Sequence, residues 1–156
     1  MLYTGIDVEE FRARVRSEVV AYHEFMGKAD SQIQRGCAAT LHEYVIGVLF
    51  QAAKEANLFP IPEYMPTACR KRLDLVCLGA TQEIVAAFEV DKTVYPKSVL
   101  KLAEIRDKAL RVVISIGLGK HPLNLERVAL LGICHWDFTQ KALGILNGKL
   151  SRPIQD

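Results

Sequence analysis

Paired cysteines, long apolar runs and a glycine-rich phosphate loop are all missing from this 156-residue sequence, and each absence removes a class of function. Cys37, Cys69, Cys77 and Cys134 are scattered among apolar neighbours with no Cys-x-x-Cys pair. Structural zinc is usually held by such hairpins of ligands, so these cysteines read as buried, reduced thiols. No apolar run approaches the roughly 18 to 20 residues of a membrane span. The opening MLYTGIDVEEFRARVR lacks the basic-then-apolar order of a signal peptide. The expectation is a cytoplasmic protein with no membrane partner. Gly117-Leu118-Gly119-Lys120 follows an apolar run but lacks the spacing of a nucleotide-binding fingerprint. Ser115, His121 and the neighbours Cys134-His135 have no triad-like context, and His23, His42 and His121 read as surface or satisfied histidines. The net charge of +2 is small, so any phosphate-binding surface must come from local clustering. The lone Trp136 reads as core or interface.

What is present suits one folded domain spanning 1–156. Half of the residues are apolar and 24% are charged, a balance that argues against disorder. Residues 7–26 place Phe11, Val15, Val19, Tyr22 and Phe25 at helical spacing, with Asp7 as N-cap and acids in the first turn. This N-terminal helical segment, 1–28, precedes a core over 31–116 and a C-terminal strand and helix over 117–156. A second helix is expected from about residue 31 to Asn57, then an irregular edge strand or arm over 61–69, where Pro60, Pro62 and Pro66 cluster. Strands at 72–78 and 83–91 flank a turn at Gly79-Ala80-Thr81-Gln82. Pro96 fits the first turn of a helix over 96–109. A buried strand at 111–116, a further strand at 127–133 and a closing helix at 138–147 complete the expectation.

The stretch RLDLVCLGATQEIVAAFEVDKTVYPKSVLK, residues 72–101, carries the chemistry. Asp74, Glu89 and Asp91 interrupt two apolar strands, where an unpaired ionised carboxylate is costly; acids so placed usually hold a cation or move protons. Side chains alternate along a strand, so Glu89, Asp91 and Thr93 share a face from which Lys92 points away. Lys97 and Lys101 lie four residues apart on one helix face. On the second helix Glu43 falls in a stripe of small and apolar residues that should pack on the sheet.

The order helix, strand, strand, strand, helix, strand, with Asp74 opening one strand and Glu89 near the end of the next, resembles the restriction-endonuclease-like PD-(D/E)xK nuclease superfamily over residues 31–116. The resemblance implies an α/β (α+β) fold, with a central mixed sheet of four or five strands flanked by helices and an extra N-terminal helix. Two departures stand out. Leu73 occupies the proline position, and Asp91 occupies the position of the family lysine. FEVDKTVYPKSVLKL is similar to Glu-x-Asp variants whose basic residue is displaced to the following helix, which implicates Lys101, with Lys97 in reserve. Members of the family also carry a helix glutamate behind an Arg-Gly pair, and Glu43 behind Arg35-Gly36 is similar.

The resemblance implies Mg2+ or Mn2+ held by Asp74, Glu89 and the Val90 carbonyl, with Glu43 or Asp91 holding a second ion or orienting water. Hard oxygen ligands suit those ions better than zinc. The implied activity is hydrolysis of phosphodiester bonds, in DNA or alternatively RNA, of a restriction, defence or repair type, by a homodimer or a subunit of a larger complex. Arg70, Lys71 and Arg72, with Lys97, Lys101, Arg106 and Lys108, would rim the site for phosphates. Loss of the strand lysine admits a second reading, a catalytically inactive nuclease-fold module for nucleic-acid binding or protein assembly.

Overall fold

The computed structural model describes residues 2–3, 6–28, 41–65, 71–106, 108–117, 124–146 and 149–150. Its elements run β1 (Leu2–Tyr3), β2 (Ile6–Asp7), α1 (Val8–Lys28), α2 (Leu41–Glu55), β3 (Phe59–Tyr64), β4 (Leu73–Leu78), β5 (Ile84–Asp91), α3 (Pro96–Ala103), β6 (Leu110–Ser115), α4 (Leu125–Leu130), β7 (Cys134–Asp137), β8 (Ile145–Leu146) and β9 (Lys149–Leu150). Strands β3 to β7 form one sheet in chain order, antiparallel from β3 to β5 and parallel from β5 to β7. The other strands form two small ribbons, β1 with β2 and β8 with β9. No helix among the described residues is long and apolar enough to cross a membrane.

Local chemistry sets the boundaries. The Asp7 carboxylate accepts from the Glu10 amide at 3.2 Å, capping α1 as its sequence suggests. Pro60 and Pro62 sit in β3, an outer strand of the sheet, where a missing N–H costs no ladder bond on the solvent side. The β4–β5 turn closes through Gly79 N–H to Glu83 O and Gln82 N–H to Gly79 O, with Gln82 at φ 64°. Pro96 opens α3 at a position where no helical N–H bond is lost.

Alternation along the central strands sorts the core into two layers. Leu75, Phe88, Val112, Ile114 and Trp136 pack with Phe11, Val15 and Val19 of α1 and Val45 and Leu49 of α2. Val76, Ala87 and Val113 pack with Val99 and Leu102 of α3 and Val128 of α4. Helices therefore flank both faces of the sheet. Trp136 is core: its ring lies 5.9 Å from Phe88 and 6.4 Å from Phe11, and Phe11 stacks on Phe88 at 5.8 Å.

Three sequence expectations change after β5. Residues 127–133 are not a strand: Asn124 caps α4 by accepting from the Glu126 amide, and Gly132 at φ 74° follows its end. Of that apolar run Val128 and Ile133 are buried, while Leu130 is 86% exposed, so the segment lacks the burial a central strand needs. The strand comes later, at Cys134–Asp137, and is anchored by Trp136. Residues 138–146, the described part of the expected closing helix, do not form one. Leu143 N–H to Thr139 O and Ile145 N–H to Gln140 O make a compact turn that leads into β8. Helix α3 ends at Ala103, short of residue 109, because Ile105 turns into the core and the chain must reach β6 at Leu110.

Phe88 is fully buried and touches both Phe11 and Trp136, so it joins the N-terminal helix to the sheet. Phe88→Ala is expected to lower the unfolding free energy by about 3–5 kcal/mol. Urea denaturation followed by Trp136 fluorescence checks this, and a loss below about 1 kcal/mol would show that α1 docks independently of that ring.

Candidate metal centre

Strand pairing brings the acids together. Leu75 lies opposite Phe88 in the antiparallel β4–β5 ladder, so one step outward Asp74 faces Glu89. Facing residues project to the same side of a sheet. Asp91, two residues beyond Glu89, projects to that side as well. One carboxylate oxygen from each of Asp74, Glu89 and Asp91 lies within 4.8 Å of the other two. They line an open cleft of about 1050 Å³ with His42, Lys97 and Lys101.

Each acid is held by a distinct group. Asp74 Oδ2 accepts from the Val90 amide at 2.8 Å and lies 3.3 Å from His42 Nε2. The Ser98 hydroxyl, buried on α3, donates to Asp91 Oδ2. Glu89 is 2% exposed, and the Lys101 ammonium approaches its Oε1 at 2.9 Å. That ion pair is close but not aligned as a hydrogen bond, so Oε1 has no directed donor among the described residues. Lys101 Nζ donates instead to the Arg72 carbonyl at 3.0 Å. Ser98 and Lys101 stand three residues apart on α3 and reach neighbouring acids across one helical turn.

Crowding of negative charge in a partly dry cleft raises proton affinity. Burial, reinforced by the Asp74 charge and opposed by Lys101, pushes Glu89 up to about 7. Burial likewise raises Asp91, against the Ser98 hydrogen bond. Divalent cations relieve this kind of strain. Magnesium takes hard oxygen ligands at about 2.1 Å, so oxygens on opposite sides of one ion stand about 4.2 Å apart. Adjacent oxygens on such an ion stand about 3 Å apart, so the three carboxylates, now within 4.8 Å of one another, would draw together on binding it. The donor set therefore fits a magnesium or manganese ion.

The expected residues divide clearly. Asp74, Glu89, Val90, Asp91, Lys97 and Lys101 all line the cleft. Lys101, not Lys97, makes the carboxylate contact; Lys97 is exposed at the rim. Glu43 lies apart from these acids. Its side chain is 78% exposed and points to His42 Nδ1 at 3.5 Å, outside the three-acid cluster. The apolar stripe of its helix is real, with Val45, Ile46 and Leu49 buried, but Glu43 sits in the first turn beyond the sheet's cover. Lys71 and Arg72 are exposed, and Arg72 lies 3.9 Å from Glu63; Arg70 and the Arg35-Gly36 pair fall outside the described residues. Arg106 also lies apart: it acts electrostatically on Glu83 in the β4–β5 turn, at the far end of β5 from Asp91. Neither it nor the exposed Lys108 lines the cleft.

Two members of the cleft have no clear sequence signal. His42 reads as a surface histidine, yet it stands at the start of α2, 39% exposed, bridging Asp74 and Glu43. Ser98 looks like an ordinary helix residue, and only its spacing, three before Lys101, hints at a shared face. Ser115 and His135 also pair, hydroxyl to Nε2 at 2.6 Å, along the same parallel strands. Comparison with known proteins found no matching family model, curated protein or solved structure.

The raised Glu89 value fixes a pH dependence. Between the ordinary value of 4.5 and about 7 the folded protein keeps a proton that the unfolded chain releases, so stability falls as pH rises through that window. Asp91 contributes with the same sign. In chelator-treated protein the unfolding free energy is expected to be lower near pH 8 than near pH 5, and Glu89→Gln to remove roughly half or more of that difference, a shift of this size being worth a few kcal/mol. Urea titrations of both proteins at the two pH values measure it; an unchanged slope in the variant would assign the dependence to other groups.

Proposed function

We propose that this protein is a metal-dependent nuclease with a restriction-endonuclease-like core, hydrolysing phosphodiester bonds in DNA. The observation that carries the reading is the meeting of Asp74, Glu89 and Asp91 at one end of the β4–β5 pair, with Lys101 2.9 Å from Glu89. The mixed sheet supports it, since a helix crossing from β5 to a parallel β6 lays α3 directly over the acids. The order of elements is the one the resemblance implies, and Lys101, which that resemblance implicates as the displaced base, reaches Glu89 from α3.

Asp74 and Glu89, with the Val90 carbonyl, would hold a magnesium or manganese ion. Such an ion binds a phosphate oxygen, acidifies a coordinated water and offsets charge in the transition state. The chain's own groups supply the rest. His42 and the Val90 amide fix the Asp74 carboxylate, leaving its second oxygen for the cleft. Ser98 holds Asp91 in the same way. Lys101 places a positive charge beside the acids, where it can bind a non-bridging phosphate oxygen as negative charge develops. Lys92, Lys97 and Thr93 at the mouth of the cleft can take flanking phosphates. Magnesium or manganese is the cofactor, DNA the partner with RNA as the alternative substrate, and a homodimer or larger assembly the way to cut both strands.

The strand lysine replaced by Asp91 keeps a second reading in play, a non-cleaving module that binds nucleic acid or assembles with protein. Supercoiled plasmid separates the two. With Mg2+ or Mn2+ the protein is expected to nick, and Asp74→Ala and Glu89→Ala to lose at least about a hundredfold in rate, the scale of removing a key transition-state contact. Binding of DNA without nicking would favour the inactive module, and equal nicking by both variants would mark a contaminant. His42→Ala, which removes a support and no proposed ligand, is expected to slow cleavage by about tenfold, read from initial rates at saturating metal.

A further inference from the structure

Lys101 has a role in this cleft beyond contact with phosphate. Its ammonium is tethered at two points, 2.9 Å from Glu89 Oε1 and 3.0 Å from the Arg72 carbonyl. Glu89 is almost wholly buried, and its Oε1 has no hydrogen-bond donor among the described residues, so this oxygen faces the ammonium and the cluster it shares with Asp74 and Asp91. A divalent ion drawing on the same carboxylate must contend with a positive charge already beside it.

We infer that Lys101 is a tethered counter-ion that holds the place of the divalent cation, and that metal binding turns the ammonium away from Glu89 while the Arg72 carbonyl keeps it at the edge of the cleft. The inference rests on the metal-centre reading. Three acids with no cation would repel one another; Lys101 neutralises one of them and keeps the site assembled. When a metal takes Glu89, like charges only a few ångströms apart repel strongly in a partly buried site, and the ammonium moves to its second acceptor. The displaced group is then free beside the metal, on the side from which α3 covers the acids. The lysine thus weakens metal affinity while preparing a cation for an incoming phosphate oxygen.

Metal affinity without any substrate tests this apart from activity. Isothermal titration of Mg2+ at about pH 8 is expected to show Lys101→Met binding tighter than the native protein by about tenfold or more, and Lys101→Arg, which keeps the charge, binding no tighter than the native protein. In native protein labelled with 13Cε-lysine, the Lys101 resonance, assigned by its absence in Lys101→Met, is expected to shift as Mg2+ saturates, a readout taken on the native protein itself. Equal or weaker affinity in Lys101→Met overturns the inference, and so does a stationary Lys101 resonance at saturation. Absence of Mg2+ and Mn2+ binding in every form would overturn the metal-centre reading as well, an outcome distinct from binding that ignores the lysine.

Discussion

The register of β4 against β5 is the constraint on which the site depends. Leu75 opposite Phe88 commits Asp74 to face Glu89, and a slip of one residue would turn one whole strand over. The register is held by burial, since Leu75, Val76, Ala86, Ala87 and Phe88 are fully buried. A slip that parted the carboxylates would also expose Phe88 and break its stack on Phe11. The unfavourable approach of two acids is thus enforced by favourable packing only a residue away.

One strand serves both purposes because its two faces are separate environments. Phe88 and Val90 belong to the aromatic layer covered by α1 and α2, while Ala87, Glu89 and Asp91 project toward α3. On that second face Ala87 is small and packs beneath Val99 and Leu102. This lets α3 sit close enough for Ser98 and Lys101 to reach the acids. Pro96 adds to the precision by starting the helix only five residues after the strand ends.

Local signals exposed the central strands, α1 and its Asp7 cap and the proline-marked outer strand, because each depends on spacing within one element; the resemblance favours Lys101 over Lys97, and Lys101 is the one that reaches Glu89. Contacts between distant elements were hidden. Nothing near His42 in the chain announces that α2 begins beside Asp74, and no periodicity marks Ser98 as the donor to Asp91. Glu43 misled for the opposite reason: its helical phase matches the buried stripe, but a stripe gives direction and not extent, and the first turn runs past the sheet. At 127–133 apolar composition suggested a strand where the Asn124 cap and Gly132 mark a short helix at Leu125–Leu130. The cap is the better guide there, because exposed leucines carry no demand for burial.

The acid at position 91 changes what the site requires of everything around it. A lysine there would have offset one of two facing carboxylates from the same strand. With Asp91, three carboxylates meet, and when all are ionised Lys101 offsets only one, leaving two negative charges in a partly buried cleft. A monovalent cation is insufficient, and protonation is the protein's own alternative, visible in the raised Glu89 and Asp91 values. A divalent ion matches the remainder. Moving the lysine from strand to helix also gives it a long, rotatable arm with a second acceptor at Arg72. A lysine fixed in the strand has no such freedom, so the same exchange that strengthens the demand for metal frees the cation to leave its carboxylate when the metal arrives.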